Sequence, residues 1–260
     1  MKVYILTLFP EVFQCVLSSS ILKRAQEEGL LRVRLVDIRE FSHDPHHSVD
    51  DYPYGGGPGM VMKPEPVYQA IEWVEKDLGR RPYVVLMTPQ GRRFDAPAAR
   101  ELAQKQDLCL VAGHYEGFDE RIRDAACDEL SIGDFVLTGG EIPAMAVLDA
   151  VSRFIPGVLG DEASAHADSF SDGLLESPQY TRPPEYRGMR VPDVLLQGDH
   201  AAVSRWRRKE AIRRTYRRRP DLLETASLTF EDRRYLEEVR KEEATGVADT
   251  SKKRVASAKE

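Results

Sequence analysis

The sequence has little cysteine: three residues in 260, Cys15, Cys109 and Cys127. Three scattered thiols cannot build a disulfide framework and offer no zinc-ligand spacing, and an odd count fits a reducing cytosol. No apolar run approaches the ~18 residues of a membrane-spanning helix, which excludes an integral membrane protein. Val3–Phe9 is apolar behind Lys2, but it is too short for a signal-peptide core, and Pro10-Glu11 ends it without a small-residue cleavage site. Three nucleotide and hydrolase signatures are also missing. Without G-x-x-x-x-G-K-[ST], a P-loop kinase is disfavoured; without G-x-G-x-x-G after the first strand, so is a dinucleotide site; without G-x-S-x-G, so is a nucleophile elbow. The glycine run Tyr54–Gly59 has neither a strand directly before it nor a suitably placed lysine. His43, His46 and His47 cluster in a loop without a further ligand at useful spacing, so they read as solvated histidines. Positive charge is in deficit overall, at a formal −6, which as an average argues against a nucleic-acid partner.

What remains is ordinary globular protein, with 42% hydrophobic and 31% charged residues. The length allows one sizeable core or two modest ones. Val3–Phe9, Tyr83–Met87 and Leu108–Ala112 read as buried strands, and Leu31, Val33 and Leu35 as a strand with one wet face. Pro10 suits a first helical position, and Val12, Val16 and Leu17 give a helical stripe toward Ala25 with Gly29 as its cap. Helices are predicted over Glu65–Leu78, from an Asp95 cap through Leu102, and over Ile142–Phe154. Residues 43–59 read as a loop. Apolar strands alternating with helices imply an α/β fold on a parallel sheet covered on both faces. That unit fills residues 1–156. Residues 157–190 lose periodicity and read as an interdomain linker, 191–240 as helices, and 241–260 as a disordered tail.

Ligands of open α/β sheets bind beyond the carboxyl ends of the strands. Three glycine-bearing loops sit there: Thr88–Gly91, Gly113–Gly117 and Ser131–Gly140. Taken singly, each reads as a tight turn. Three on one sheet read as a site where backbone groups approach a ligand closely. Glu116, Arg153 and Asp168 read on composition alone as surface charges.

The negative average hides a basic segment. Residues 201–220 hold nine basic residues against Glu210, a local charge of +8, leaving −14 on the other 240. The run is helix-compatible, with Asp199 placed to cap its start and Pro220 to end it. Arg205, Arg207, Arg208, Arg213 and Arg214 are its candidate phosphate contacts.

The motifs LFPEVF, DDYPYGGGPGMVM, TPQGRRFD, GHYEGFDERI, SIGDFVLTGGEIPAM, RFIPGVLG, DSFSDGLLESPQYTRP and RWRRKEAIRRTYRRRPDLL resemble those of the bacterial tRNA (guanine-N1)-methyltransferases, the TrmD family of the SPOUT superfamily. The resemblance runs from Met1 to about Leu228. It implies a SPOUT-type sheet threaded through a deep trefoil knot, a small helical C-terminal domain that grips tRNA, and a cytoplasmic homodimer with a shared active site. It implies S-adenosylmethionine bound by Leu86, Thr88, Pro89, Gly113, Tyr115, Gly117, Ile132, Gly133, Asp134, Phe135, Val136, Leu137, Gly139, Gly140 and Pro143. Ala167 departs from the pattern, where an acidic residue is expected before Asp168.

The implied reaction methylates N1 of the guanosine immediately 3′ of the anticodon. N1 carries a proton at neutral pH, so a general base must remove it as the bond forms, and charge builds on O6. By the resemblance Asp168 is the base, Arg153 the cation near O6, and Glu116 a third candidate beside the donor that orients either guanine or a metal ion. The resemblance also implies a response to Mg²⁺, although no metal motif is readable. The alternatives are a SPOUT enzyme with another RNA position, a non-catalytic RNA-binding module, and, weakest, a nucleotide phosphotransferase.

Overall fold

Five segments of the chain form one parallel sheet: β1 (Lys2–Thr7), β2 (Arg32–Asp37), β3 (Tyr83–Arg93), β4 (Asp107–Ala112) and β5 (Asp128–Ser131). Their order is β2-β1-β4-β3-β5. This is a computed structural model, which describes residues 1–160 and 168–244. Contacts divide the chain into two compact units, Met1–Ala165 and His166–Glu260.

In the first unit, alternation along each strand feeds two cores. Val3 and Ile5 enter one, Tyr4 and Leu6 the other. The first core is covered by α1 (Ser20–Glu27), α3 (Ala96–Ala103) and α4 (Glu141–Ser152), the second by α2 (Pro64–Leu78). The predicted α/β class and parallel sheet are therefore present. β4 lies in the middle of the sheet, and all six of its residues are buried, as a strand covered on both faces requires. Cys109 within it is fully buried, and burial pushes its thiol pKa up; it forms no disulfide with Cys15 or Cys127.

Two expectations change in detail, and one strand was not read from the sequence. The helical stripe from Val12 to Ala25 is not one helix. A 3₁₀ turn (Pro10–Phe13) and a single α turn (Gln14–Leu17) precede α1. The Ser18 and Ser19 hydroxyls donate back to the carbonyls of Gln14 and Cys15, at 2.7 and 2.6 Å, and compete with the helix ladder. β3 runs six residues past Met87, because residues 88–91 bulge out between two pairings with Leu130. Gly91 permits this: a Cβ there would lie 2.4 Å from the backbone of Glu129 and Leu130. Short β5 gave no periodicity to read. The Asp95 cap forms as predicted, accepting from the Ala98 amide at 2.9 Å.

The second unit is built on α5 (His200–Arg218) and α6 (Phe230–Ala244). Its core joins Ile212 to Tyr235, Leu236 and Val239, with Leu174 inserted from the stretch predicted as linker. Leu175 N donates to Thr215 Oγ1 at 2.9 Å, so this part of the stretch is sewn onto α5. Asp199 caps α5, accepting from the amides of Ala201 and Ala202 at 3.0 Å. Ala167 and residues 245–260 of the predicted tail lie outside the described residues; α6 carries the helix past Lys241 to Ala244.

Candidate active site

The bulge within β3 and the loops that leave β4 and β5 at their carboxyl ends meet in one pocket. The bulge supplies Thr88 and Pro89. The loop after β4 supplies Gly113, Tyr115, Glu116 and Gly117. The loop after β5 supplies Ile132, Gly133, Phe135, Val136, Leu137, Gly139 and Gly140, and the first turn of α4 adds Pro143. Each loop begins where a buried strand ends, so the sheet fixes the three against one another. Two predicted contacts stand apart from the wall. Leu86 is fully buried in the sheet core beneath it, and Asp134 is exposed outside it. The wall also contains His114, Ser131 and Thr138, which belong to the loops read from sequence, and Met87, Phe118 and Leu130, which were not foreseen. Their only sequence signal was adjacency to the glycines and strand ends.

The loops interlock through backbone. Gly140 N donates to Gly113 O at 2.6 Å. A Cβ on Gly140 would sit 2.6 Å from Gly113 N and 2.8 Å from Ala112 Cα, so no other residue allows this approach. Ser131 Oγ donates to Gly133 O at 2.9 Å and folds the third loop onto itself. Tyr115 takes a φ of +60°, a region that L side chains rarely adopt. It is held there by hydrogen bonds on both sides: Glu116 N to Met60 O at 2.9 Å and Gly117 N to His114 O at 3.2 Å. Burial first, and then the Asp50 carboxylate, push the Tyr115 phenol above its ordinary pKa.

Beside the pocket, Glu141 opens α4 almost fully buried, where a carboxylate suits the helix dipole. It accepts from Thr7 Oγ1 at 2.9 Å, and its second oxygen lies 4.0 Å from His114 Nδ1. His114 is wedged between Phe9 and Tyr115, with each ring centroid 5.1 Å away. Its Nδ1 is buried without a hydrogen bond among the described residues.

The tRNA (guanine-1)-methyltransferase TrmD family matches residues 1–225. The chain belongs to this family. It is 58% identical over 245 residues to a tRNA (guanine-N(1)-)-methyltransferase of Dehalococcoides mccartyi, covering 94% of this chain and 98% of the relative. Proteins of the same name from Anoxybacillus flavithermus and Bacillus cereus are 54% identical, each covering 94% of this chain and 100% of the relative.

The remaining residues nominated through the TrmD resemblance fall in different places. Glu116 is exposed in the pocket wall, its side chain lying over Gly59. Arg153 caps the C-terminal end of α4. Gly140 and Pro143 lie at the other end, about 18 Å away along a helix of this length, and Arg153 is not in the wall. Asp168 belongs to the second unit, where its carbonyl accepts from Ser171 N at 3.2 Å.

The arginines of α5 divide into two groups. Arg208 is bound by Asp232 and Asp172, and Arg213 by the Tyr235 hydroxyl and the carboxylate of Glu242. Arg205 and Arg207 are exposed and Arg214 is half-buried, with no ion pair to another described residue. Among the described residues no cluster of three or more His, Cys, Asp or Glu side chains could hold a metal ion, so no step through Mg²⁺ is derived. No helix among them is long and apolar enough to cross a membrane.

Proposed function

We propose that this protein transfers the methyl group of S-adenosylmethionine to N1 of the guanosine immediately 3′ of a tRNA anticodon. Membership of the TrmD family along nearly the whole chain carries this reading. The pocket fits the adenosine part of the donor. Its walls are apolar at Leu130, Ile132, Phe135 and Leu137 and include five glycines whose backbone can approach closely, which is what a neutral purine needs for sandwiching and edge hydrogen bonds. His114 Nδ1 offers a buried polar atom with no hydrogen bond among the described residues.

S-adenosylmethionine supplies an electrophilic methyl group on a sulfonium. This chain's residues do the rest. Asp168 takes the N1 proton as the new N–C bond forms, so that the nitrogen lone pair is free to attack. Arg153 offsets the charge that builds on O6. Glu116 orients the guanine edge. The pocket would hold the donor next to the target base, and proximity would supply much of the rate gain.

The active enzyme in this reading is a cytoplasmic homodimer with a SPOUT trefoil knot, and its active site is shared between subunits. The placement of Arg153 at the end of α4 remote from the pocket supports sharing. So does the apolar surface left exposed on the first unit at Val12, Val136 and Ile142. The test is Asp168→Ala. It should bind S-adenosylmethionine in calorimetry with unchanged affinity and methylate at least about a hundredfold more slowly. Full activity would remove Asp168 from the mechanism.

A further inference from the structure

The second unit contains a groove of about 700 Å³ that the reaction does not use. One wall is the segment Pro178–Pro184. The other is formed by Leu195, Leu196 and the first turns of α5, at Val203 and Arg207. No carboxylate lines it, while two arginines, Arg182 and Arg207, do. The Tyr180 ring forms part of the wall, packed 6.4 Å from Trp206 at a 51° tilt. Gln179 and Thr181, which carry an amide and a hydroxyl, flank it in the lining. Flat apolar faces, neutral polar groups and positive charge without negative charge suit a planar, polar ligand attached to an anion.

The groove continues into a charged track. Arg207, Arg214 and Arg218 follow at i, i+7 and i+11, which places them within about 40° of one another on α5 and spreads them over about 16 Å. None of the three makes an ion pair with another described residue. Arg208, Arg213 and Arg217, on the other faces, are tied to acidic groups. The pairing within the unit thus leaves this row of cations without ion pairs to described residues, as it does Arg205 on the opposite face, and the row begins at the groove.

We infer that this groove is a nucleobase site for an unpaired nucleotide of the RNA substrate, with Arg207, Arg214 and Arg218 tracking the phosphates that follow it. The base stacks on Tyr180 and is read by the neighbouring amide and hydroxyl, as single-stranded RNA is read elsewhere by aromatic platforms. This rests on the proposed tRNA substrate and gives that substrate a contact outside the methyl-transfer pocket.

The experiment uses the full chain and an unmodified tRNA transcript, with affinity measured across a salt series and product formation measured alongside. Tyr180→Ala should weaken tRNA binding about tenfold with an unchanged salt slope, because it removes stacking and no charge. Tyr180→Phe should bind as the parent does. Arg207→Ala should weaken binding and lower the slope by about one. A measurement independent of these variants uses Trp73→Phe, which leaves Trp206 as the sole tryptophan. Saturating tRNA should shift or quench its emission. Parent-like affinity in Tyr180→Ala, or Trp206 emission untouched by bound tRNA, overturns the inference. So does dimer loss in Tyr180→Ala at unchanged tRNA affinity, which would make the groove a seat for a second copy. Absence of 1-methylguanosine with the parent protein would instead overturn the proposed reaction, so the two failures are distinguishable.

Discussion

Asp232 on α6 accepts two parallel hydrogen bonds from the guanidinium of Arg208 on α5, at 3.0 and 2.8 Å. The carboxylate is almost fully buried and also accepts from Thr229 N at 3.0 Å. A helix whose sequence reads as a phosphate-binding strip therefore commits one of its central arginines to holding the second unit together.

That pairing sets a pH dependence. The Arg208 hydrogen bonds, aided by Thr229, hold the Asp232 carboxyl at about 2, below its ordinary 3.8. A depressed carboxylate contributes stability above its unfolded pKa and loses it as pH falls through the folded value. The contribution is about 2 kcal/mol at neutral pH, lost between about pH 4 and pH 2. Urea unfolding of the parent and Asp232→Asn should show the variant weaker by about that amount at pH 7, with the gap closing below pH 4. A gap independent of pH would contradict the pairing.

The division of the arginines predicts two kinds of variant. Arg208→Ala leaves Asp232 without its cation, which should lower the unfolding midpoint by the several degrees that about 3 kcal/mol produces. Arg214→Ala should leave the melt unchanged and reduce the salt slope of tRNA binding by about one. An unaltered slope in Arg214→Ala would mean that this face does not touch phosphates.

Gly140→Ala tests the interlock of the pocket loops. The added methyl would meet backbone on two sides, at Gly113 and Ala112, and backbone cannot rotate away as a side-chain end can. The variant should lose about 1–3 kcal/mol of stability and show no calorimetric heat with S-adenosylmethionine. Unimpaired donor binding would mean that the close approach of the two loops is dispensable.

Much of the first unit was legible because its strands announce themselves. Runs such as Leu108–Ala112 are buried on both faces, and the glycine loops follow them directly. Asp95 and Asp199 gave helix starts by the chemistry of capping. The bulge at residues 88–91 was not legible, since it depends on a neighbouring strand too short and too polar to carry a pattern. Leu174 was hidden for a different reason. A single apolar residue in an irregular stretch has no period, and its burial depends on helices that come later in the chain. The same holds for the Glu141–Thr7 contact, which joins residues 134 positions apart. The arginine run showed its charge in sequence, but which arginines are engaged depends on Asp172, Asp232 and Glu242.

The central claim is a methyl transfer to one atom of one nucleoside. The most direct test incubates the purified protein with labelled S-adenosylmethionine and an unmodified tRNA carrying guanosine immediately 3′ of the anticodon, then digests the RNA and identifies the labelled nucleoside and its position. The account predicts 1-methylguanosine at that position and none in a transcript where it is replaced by adenosine. Label in another nucleoside, or at another position, would contradict it.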